Sequence, residues 1–194
     1  MNKITDIRVT KTNIAIRKAF IEIMEEEGFS KLNVKKIIDR AKINRSTFYA
    51  HYMDKYDLLE KIEDQLLEGL KDIERSVPEE VIIEKNFSVE YLITHVEFVT
   101  SYLKENGKLM TLLMSDKGNP AFSNKLNEML KQIWSEKKIT DKLSIPQNYA
   151  IAAVTGMITS VIVEWVKTDF KETQKEFEQI VIKIVKDIHL NILI

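Results

Sequence analysis

Apolar residues along this chain recur mostly at helical spacing, and no alternating stretch is long enough to read as a strand. Ile16, Ala19, Phe20, Ile23 and Met24 form one face of a first helix, from about Thr10 to Glu27, which Gly28 stops. Val34, Ile37, Ile38 and Ala41 repeat at i, i+3, i+4, i+7 behind Asn33, a good N-cap, and predict a short second helix. Asn44 can cap a third helix that exposes Arg45, Ser46, Thr47 and His51 while Phe48 and Tyr52 turn inward. Asp54 caps a fourth, and Asp57 three residues later makes a start like a capping box. Leu59, Ile62, Leu66, Leu70 and Ile73 carry its core face toward Ser76.

Past Val77-Pro78 the pattern breaks, and residues 77–88 read as a loop or short helix. A fifth helix over 88–105 turns Leu92, His95 or Val96, Val99 and Leu103 inward, and Asn106-Gly107 ends it. A short apolar helix follows over 108–115, then a turn at Asp116-Lys117-Gly118-Asn119. Pro120 suits the first turn of a helix ending near Lys137. Residues 138–145 link to a long helix over 146–168, opened by Pro146, and a last helix covers 172–192. The chain therefore reads as all-α, with about nine helices and no internal repeat.

Composition narrows the function. With no Cys there is no disulfide framework and no thiolate metal site, and the polar N-terminus lacks an apolar signal segment; both favour the cytoplasm. Leu143–Val163 is free of charge, which approaches the length of a membrane span of about 20 residues. Pro146, Gln147, Asn148, Thr155, Thr159 and Ser160 interrupt it, so it reads as a buried helix. The five Gly (28, 69, 107, 118, 156) are scattered and cradle no phosphate. Neither His-Glu-x-x-His nor Gly-x-Ser-x-Gly occurs, so no catalytic residue, metal site or cofactor is expected. The net charge of -1 hides an asymmetry: residues 1–56 hold twelve Lys/Arg against seven Asp/Glu, net +5, and residues 57–194 hold seventeen against twenty-three, net -6. A basic end on an acidic body is the footprint expected of a DNA-binding head, although ordinary surface variation would also produce it.

That basic end carries a specific pattern: Leu32-x-Val34-x-x-Ile37, Ala41, Ser46-Thr47-Phe48-Tyr49-x-His51-Tyr52, and Lys55-x-x-Leu58-Leu59. It resembles the helix-turn-helix of TetR-family (TetR/AcrR-like) transcriptional regulators from about Arg8 to residue 62. The block Lys108–Phe122, a leucine-rich helix, a Gly-Asn-Pro turn and a Phe, is similar to one sub-group of their C-terminal domains. In the family a Gly usually follows the Ala that closes the second helix; here it is Lys42, at a cost of roughly 1 kcal/mol if left-handed.

The resemblance implies a helix-turn-helix DNA-binding domain over 1–53 and a helical dimerisation and effector-binding domain over 54–194. It implies a sequence-specific regulator, a repressor, that grips a palindromic operator as a homodimer and is released by a small molecule. By the family match Lys35, Arg45, Ser46 and Ala50 read bases, with Arg45 able to pair bidentately with guanine. Asn33, Thr47, Tyr49, His51 and Lys55 fall on the phosphate side. The plainer alternatives are phosphate contact for Lys35 and Arg45, and simple packing for Tyr49 and His51.

In the body, Ala152, Gly156 and Ser160 recur every four residues, and Ile180, Ile184 and Ile188 form a matching apolar row. Together they make a dimer face, unless they pack within one subunit. The resemblance also implies an apolar effector pocket, for which His95, Phe98, Tyr102, Met110, Met114, Phe122, Trp134 and Met157 are candidates, each of which could equally be core. Readings from other classes are an enzyme with a site assembled from distant residues, and a helical protein-interaction module without DNA binding; the second explains the body but not the placed Arg45, Thr47 and Tyr49.

Overall fold

The computed structural model describes residues 3–77, 89–136 and 145–192, which form nine α-helices, one 3-10 turn and no strand among the described residues. We number the helices α1 (Lys3–Glu27), α2 (Val34–Ala41), α3 (Arg45–Tyr49), α4 (Lys55–Arg75), α5 (Val89–Glu105), α6 (Gly107–Met114), α7 (Phe122–Glu136), α8 (Gln147–Lys167) and α9 (Gln174–Ile192), with the 3-10 turn at Phe29–Lys31. The chain divides into two compact units, Met1–Gln65 with Leu112–Pro120, and Leu66–Thr111 with Ala121–Ile194. The breaks expected at 77–88 and 138–145 fall almost entirely outside the described residues.

In the first unit the predicted face of α1 is buried throughout, whereas of the α2 row only Ile37 is buried and Val34, Ile38 and Ala41 are half-buried. Ile16, Ala19, Phe20, Ile23 and Met24 of α1 are all buried and pack against α2, which contributes Ile37. Helix α1 starts earlier than its apolar face suggests, at Lys3. Gly28, at φ 80°, turns the chain out of it. Asn33 caps α2 as expected, its Oδ1 accepting the Lys36 amide at 3.0 Å. Asn44 sits at the N-cap of α3 but its side chain makes no capping bond, so the backbone alone sets the start of that helix.

Lys42 closes α2 in the left-handed region (φ 53°, ψ 46°), with its N–H donating to the Ile38 carbonyl. A Cβ there costs roughly 1–2 kcal/mol, partly balanced by the lower entropy an unfolded Lys has relative to Gly. Lys42→Gly should therefore stabilise the protein by about 0.5–1 kcal/mol. Urea denaturation will check this; an unchanged or lower midpoint contradicts it.

In the second unit, α7 packs on α8 and α5 on α9. Pro120 does not open α7, which begins two residues later at Phe122. Pro146 stands at the N-cap of α8. Helix α9 starts at Gln174 rather than Glu172, because Thr173 and Glu176 form a reciprocal cap. The Thr173 amide donates to Glu176 Oε2 at 2.9 Å, and the Glu176 amide donates to Thr173 Oγ1 at 3.3 Å. By length and composition α8 could cross a membrane. Here it buries Ala150, Ile151, Thr155, Thr159, Ile162, Trp165 and Val166. Trp165 anchors this core, stacked on Phe177 at 3.9 Å and edge-on to Phe170 at 4.8 Å.

Candidate nucleic-acid interface and interior cavity

Helix α3 is short because its work is done by one buried residue. Phe48 is fully buried, and Tyr52 almost so, with their rings 5.7 Å apart. That anchor leaves Arg45, Ser46, Tyr49 and Ala50 exposed on the outer side, with Thr47 half-buried. Arg45 and Tyr49 are one turn apart: an Arg45 guanidinium nitrogen lies 3.4 Å from the Tyr49 hydroxyl, and the guanidinium carbon 5.5 Å from the ring centre. The phenol thus steadies the cation without neutralising it. Ser46 and Ala50 share the adjacent row, and Lys35 is exposed on α2.

The charges of this unit divide by role. Arg40 grips Glu26 with two nitrogens at 2.6 and 2.7 Å, and Lys36 bonds Glu27, so these two cations tie α2 to α1. The Arg40 guanidinium in turn holds the Glu26 carboxyl below its ordinary value. Lys35, Lys42 and Arg45 make no ion pair among the described residues. These three cations stand on α2, α3 and the turn between them.

The phosphate candidates are less uniform. Tyr49 is exposed, while His51 is half-buried, with its ring beside Tyr52. Asn33 spends its Oδ1 on the cap. Lys55 is committed elsewhere: its ammonium donates to the carbonyls of Phe29 (3.1 Å), Ser30 (3.4 Å) and Leu32 (2.9 Å), and lies 4.7 Å from the Phe29 ring centre. Three donors meet three acceptors, so Lys55 clamps the 3-10 turn to the start of α4 in this geometry.

That start is doubly capped. Asp54 Oδ1 accepts the amides of Tyr56 and Asp57 at 2.8 and 2.9 Å, and Asp57 Oδ2 accepts the Met53 amide at 2.8 Å and the Lys61 ammonium at 3.0 Å. The Met53 amide, then Lys61, hold the Asp57 carboxyl below its ordinary 3.8. Thr173 does the same to Glu176, whose ordinary value is 4.5. A carboxyl lowered on folding contributes stability that is fully present above its unfolded value and is lost as pH falls through the folded one. The melting temperature should accordingly fall as pH drops below about 4, and Asp57→Asn should flatten part of that fall. Melting curves across the acid range test this; identical slopes for the two proteins would refute the assignment.

A third part of the first unit was not legible as functional. The turn after α6 is stitched to α1: the Phe29 amide donates to the Lys117 carbonyl at 2.8 Å, and Lys117 Nζ donates to the Glu25 carbonyl at 2.8 Å. Asn119 donates to Glu63 Oε1 at 2.8 Å, and Glu63 is buried. The one signal was Glu63 itself, an acidic residue four positions after Leu59 on the apolar row of α4.

The second unit holds a partly open cavity of about 130 Å³. Of the expected pocket residues, His95, Trp134 and Met157 line it. The others do not. Met110 and Phe122 are fully buried core, Met114 is buried in the first unit, and Phe98 is 62% exposed. Tyr102 instead packs against Gly69, where an added Cβ would fall 2.2 Å from its hydroxyl, and donates to the Leu66 carbonyl at 2.9 Å. The walls come from aliphatic residues such as Val99, Val154, Ile158, Val161 and Val181. Of these, only Val99 stands on a face that the periodicity singles out as inward.

The expected dimer residues are split. Ala152 and Ser160 are exposed, and a Cβ on Gly156 would meet nothing within 4 Å. Ile180 is 43% exposed, Ile184 lines the cavity, and the Ile188 side chain lies outside the described residues.

A short helix held by one aromatic anchor, with donors outward and a tight left-handed turn before it, is the reading half of a helix-turn-helix DNA-binding fold. Residues 16–62 match the family model described as bacterial regulatory proteins, tetR family, and residues 90–187, half of the chain, match a transcriptional regulator C-terminal region. The chain belongs to the TetR family of bacterial transcriptional regulators. It is 28% identical over 127 residues to the uncharacterized HTH-type transcriptional regulator YxbF of Bacillus subtilis, a match over 63% of this chain. It spans only 28% of the length of that relative. Among solved structures it is similar to a TetR transcriptional regulator from Streptococcus agalactiae (22% identity, TM-score 0.63, 94% of this chain and 97% of that one). It is also similar to the transcriptional regulator FadR from Bacillus subtilis in complex with stearoyl-CoA (22% identity, TM-score 0.62, 89% and 96%). Likeness at this identity shows a shared fold.

Proposed function

We propose that this protein is a cytoplasmic, sequence-specific transcriptional repressor that binds a palindromic operator as a homodimer and is released by a small apolar effector. The observation that carries the reading is the exposed row Arg45, Ser46, Tyr49 and Ala50 on a helix whose opposite side is sealed by Phe48. In the complex Arg45 pairs with a guanine edge, Ser46 and Ala50 face neighbouring bases, and Lys35 reaches in from α2. Thr47, Tyr49, Asn33 and His51 hold phosphates, and Lys55 keeps the start of α4 in place for them.

One such head reads too few base pairs to be specific, and a two-fold axis supplies the second. The exposed small-residue row of α8 supports its use as the contact, since Gly156 leaves room for another helix to come close. The cavity supports an effector site. A ligand acts there only if it prefers one of two body arrangements, and α4, which runs through both units, is the element that can carry the difference.

Gel-shift titration against an inverted-repeat fragment from upstream of the gene, with sedimentation of the free protein, tests the proposal. Retardation of that fragment at salt concentrations where a scrambled one stays free, by a dimeric protein, is the expected result. A monomer that leaves every duplex unshifted at low ionic strength would overturn it.

A further inference from the structure

The proposed effector cavity is apolar except at one end, and that end has a sign. Among the described residues its wall carries one carboxylate, Glu74, and no Lys or Arg. Glu74 Oε1 lies 3.3 Å from His95 Nε2, and the two side chains are only 13% and 16% exposed. The Tyr91 ring stacks parallel on His95, with centroids 6.5 Å apart and 7° between the planes. The Tyr91 hydroxyl donates to the Ser76 carbonyl at 3.3 Å. Thr100, the other polar residue of the wall, is bonded to Glu178 at 2.8 Å and to Gln174 at 3.2 Å, so it offers little to a guest.

The second oxygen of Glu74 is different: it has no hydrogen-bond partner among the described residues. That oxygen keeps some access to solvent, and a part-buried carboxylate with one imidazole partner has acceptor capacity to spare. A ligand cation completes it, while an anion there would meet like charge in a low-dielectric wall. The Tyr91 and Trp134 side chains also line the cavity, and aromatic rings attract a cation. Size sets a second limit, since a cavity of about 150 Å³ admits one benzene ring.

Building on the effector reading above, we propose that the ligand class is a small lipophilic amine: an apolar body of about six to eight heavy atoms in the aliphatic cavity, with its ammonium on the Glu74 carboxylate. Three probes of equal chain length, hexylammonium, hexanol and hexanoate, separate charge from shape. Isothermal titration of the full chain at neutral pH should give hexylammonium at least about tenfold tighter binding than hexanol, with hexanoate weakest, as expected for one charge-assisted contact. Glu74→Gln, nearly isosteric, should abolish the preference for hexylammonium while leaving hexanol unchanged. Val161→Phe, which fills the cavity, should weaken hexylammonium and hexanol alike. Hexanoate binding as tightly as hexylammonium, no binding of any probe, or a cation preference that survives in Glu74→Gln would each overturn this ligand class. Operator binding measured on the same preparations keeps the two readings apart. If DNA is still bound, the regulator stands and only the amine assignment falls; if no duplex is bound at all, the regulator reading itself has failed.

Discussion

Arg45→Ala should relax the preference for one base pair of each half-site by about 1–3 kcal/mol, roughly five- to 150-fold in relative affinity. Binding to operators already altered at that position should change little. The reason is geometric. The Arg45 fork is exposed at the first position of α3 and leans on Tyr49 without an acidic partner. Its cost of desolvation is returned only where two acceptors lie side by side, as on a guanine edge. A cation that touched phosphate would behave otherwise: its loss would weaken every sequence equally and lower the slope of log affinity on log salt by about one unit. Gel-shift titrations on a set of single-position variants distinguish the outcomes, and an equal loss on all of them would remove Arg45 from the base-reading row. Tyr49→Phe is the companion test, since it keeps the ring under the guanidinium and removes only the hydroxyl.

Gly118→Ala should destabilise the protein by about 3–4 kcal/mol, enough to lower the melting temperature of a chain this size by roughly 10 °C. A Cβ at Gly118 would stand 2.2 Å from the Leu112 carbonyl oxygen and 2.4 Å from that of Leu113. Those atoms are backbone and cannot rotate away, so the turn must open. Opening it disturbs the Asn119 amide bond to Leu113 at 3.0 Å. It also pulls on the neighbours that join this turn to α1 and to buried Glu63. Leaving a buried carboxylate short of a donor costs about 1–3 kcal/mol by itself. A melting temperature within about 2 °C of the parent protein would show that the turn gives way more easily than this geometry allows.

Much of the head was legible because its information is local. The i, i+3, i+4 rows of α1 and α2 and the caps at Asn33 and Asp54 act within a few residues of themselves, and each appears where the pattern places it. Lys42 is instructive: the turn forms with a Lys where Gly is the easier residue, because a strain of about 1 kcal/mol is small beside the packing on either side. The base contacts proposed for Arg45 and Ser46 rest on the family resemblance, and the sequence itself places only their outward position, opposite Phe48 and Tyr52.

What the sequence leaves open shares one cause. Lys55 reads as a phosphate ligand from its place at a helix start, and only the fold adds that its ammonium also meets a 3-10 turn more than twenty residues earlier in the chain. Aromatic and Met residues of the body look alike in sequence whether they fill a core or line a void. Met110 and Phe122 fill it, whereas Met157 and Trp134 border the cavity.

The sequence by itself determined the helices, their inner faces, the basic head and the short reading helix, since periodicity, capping and charge are properties of neighbours along the chain. The tertiary structure alone decided which cations remain outward and which are spent on Glu26, Glu27 and the 3-10 carbonyls, where the turn after α6 is fastened, and that a carboxylate borders an otherwise apolar cavity. These depend on which distant helices meet, and that is settled by how their surfaces pack, which no single stretch of residues contains.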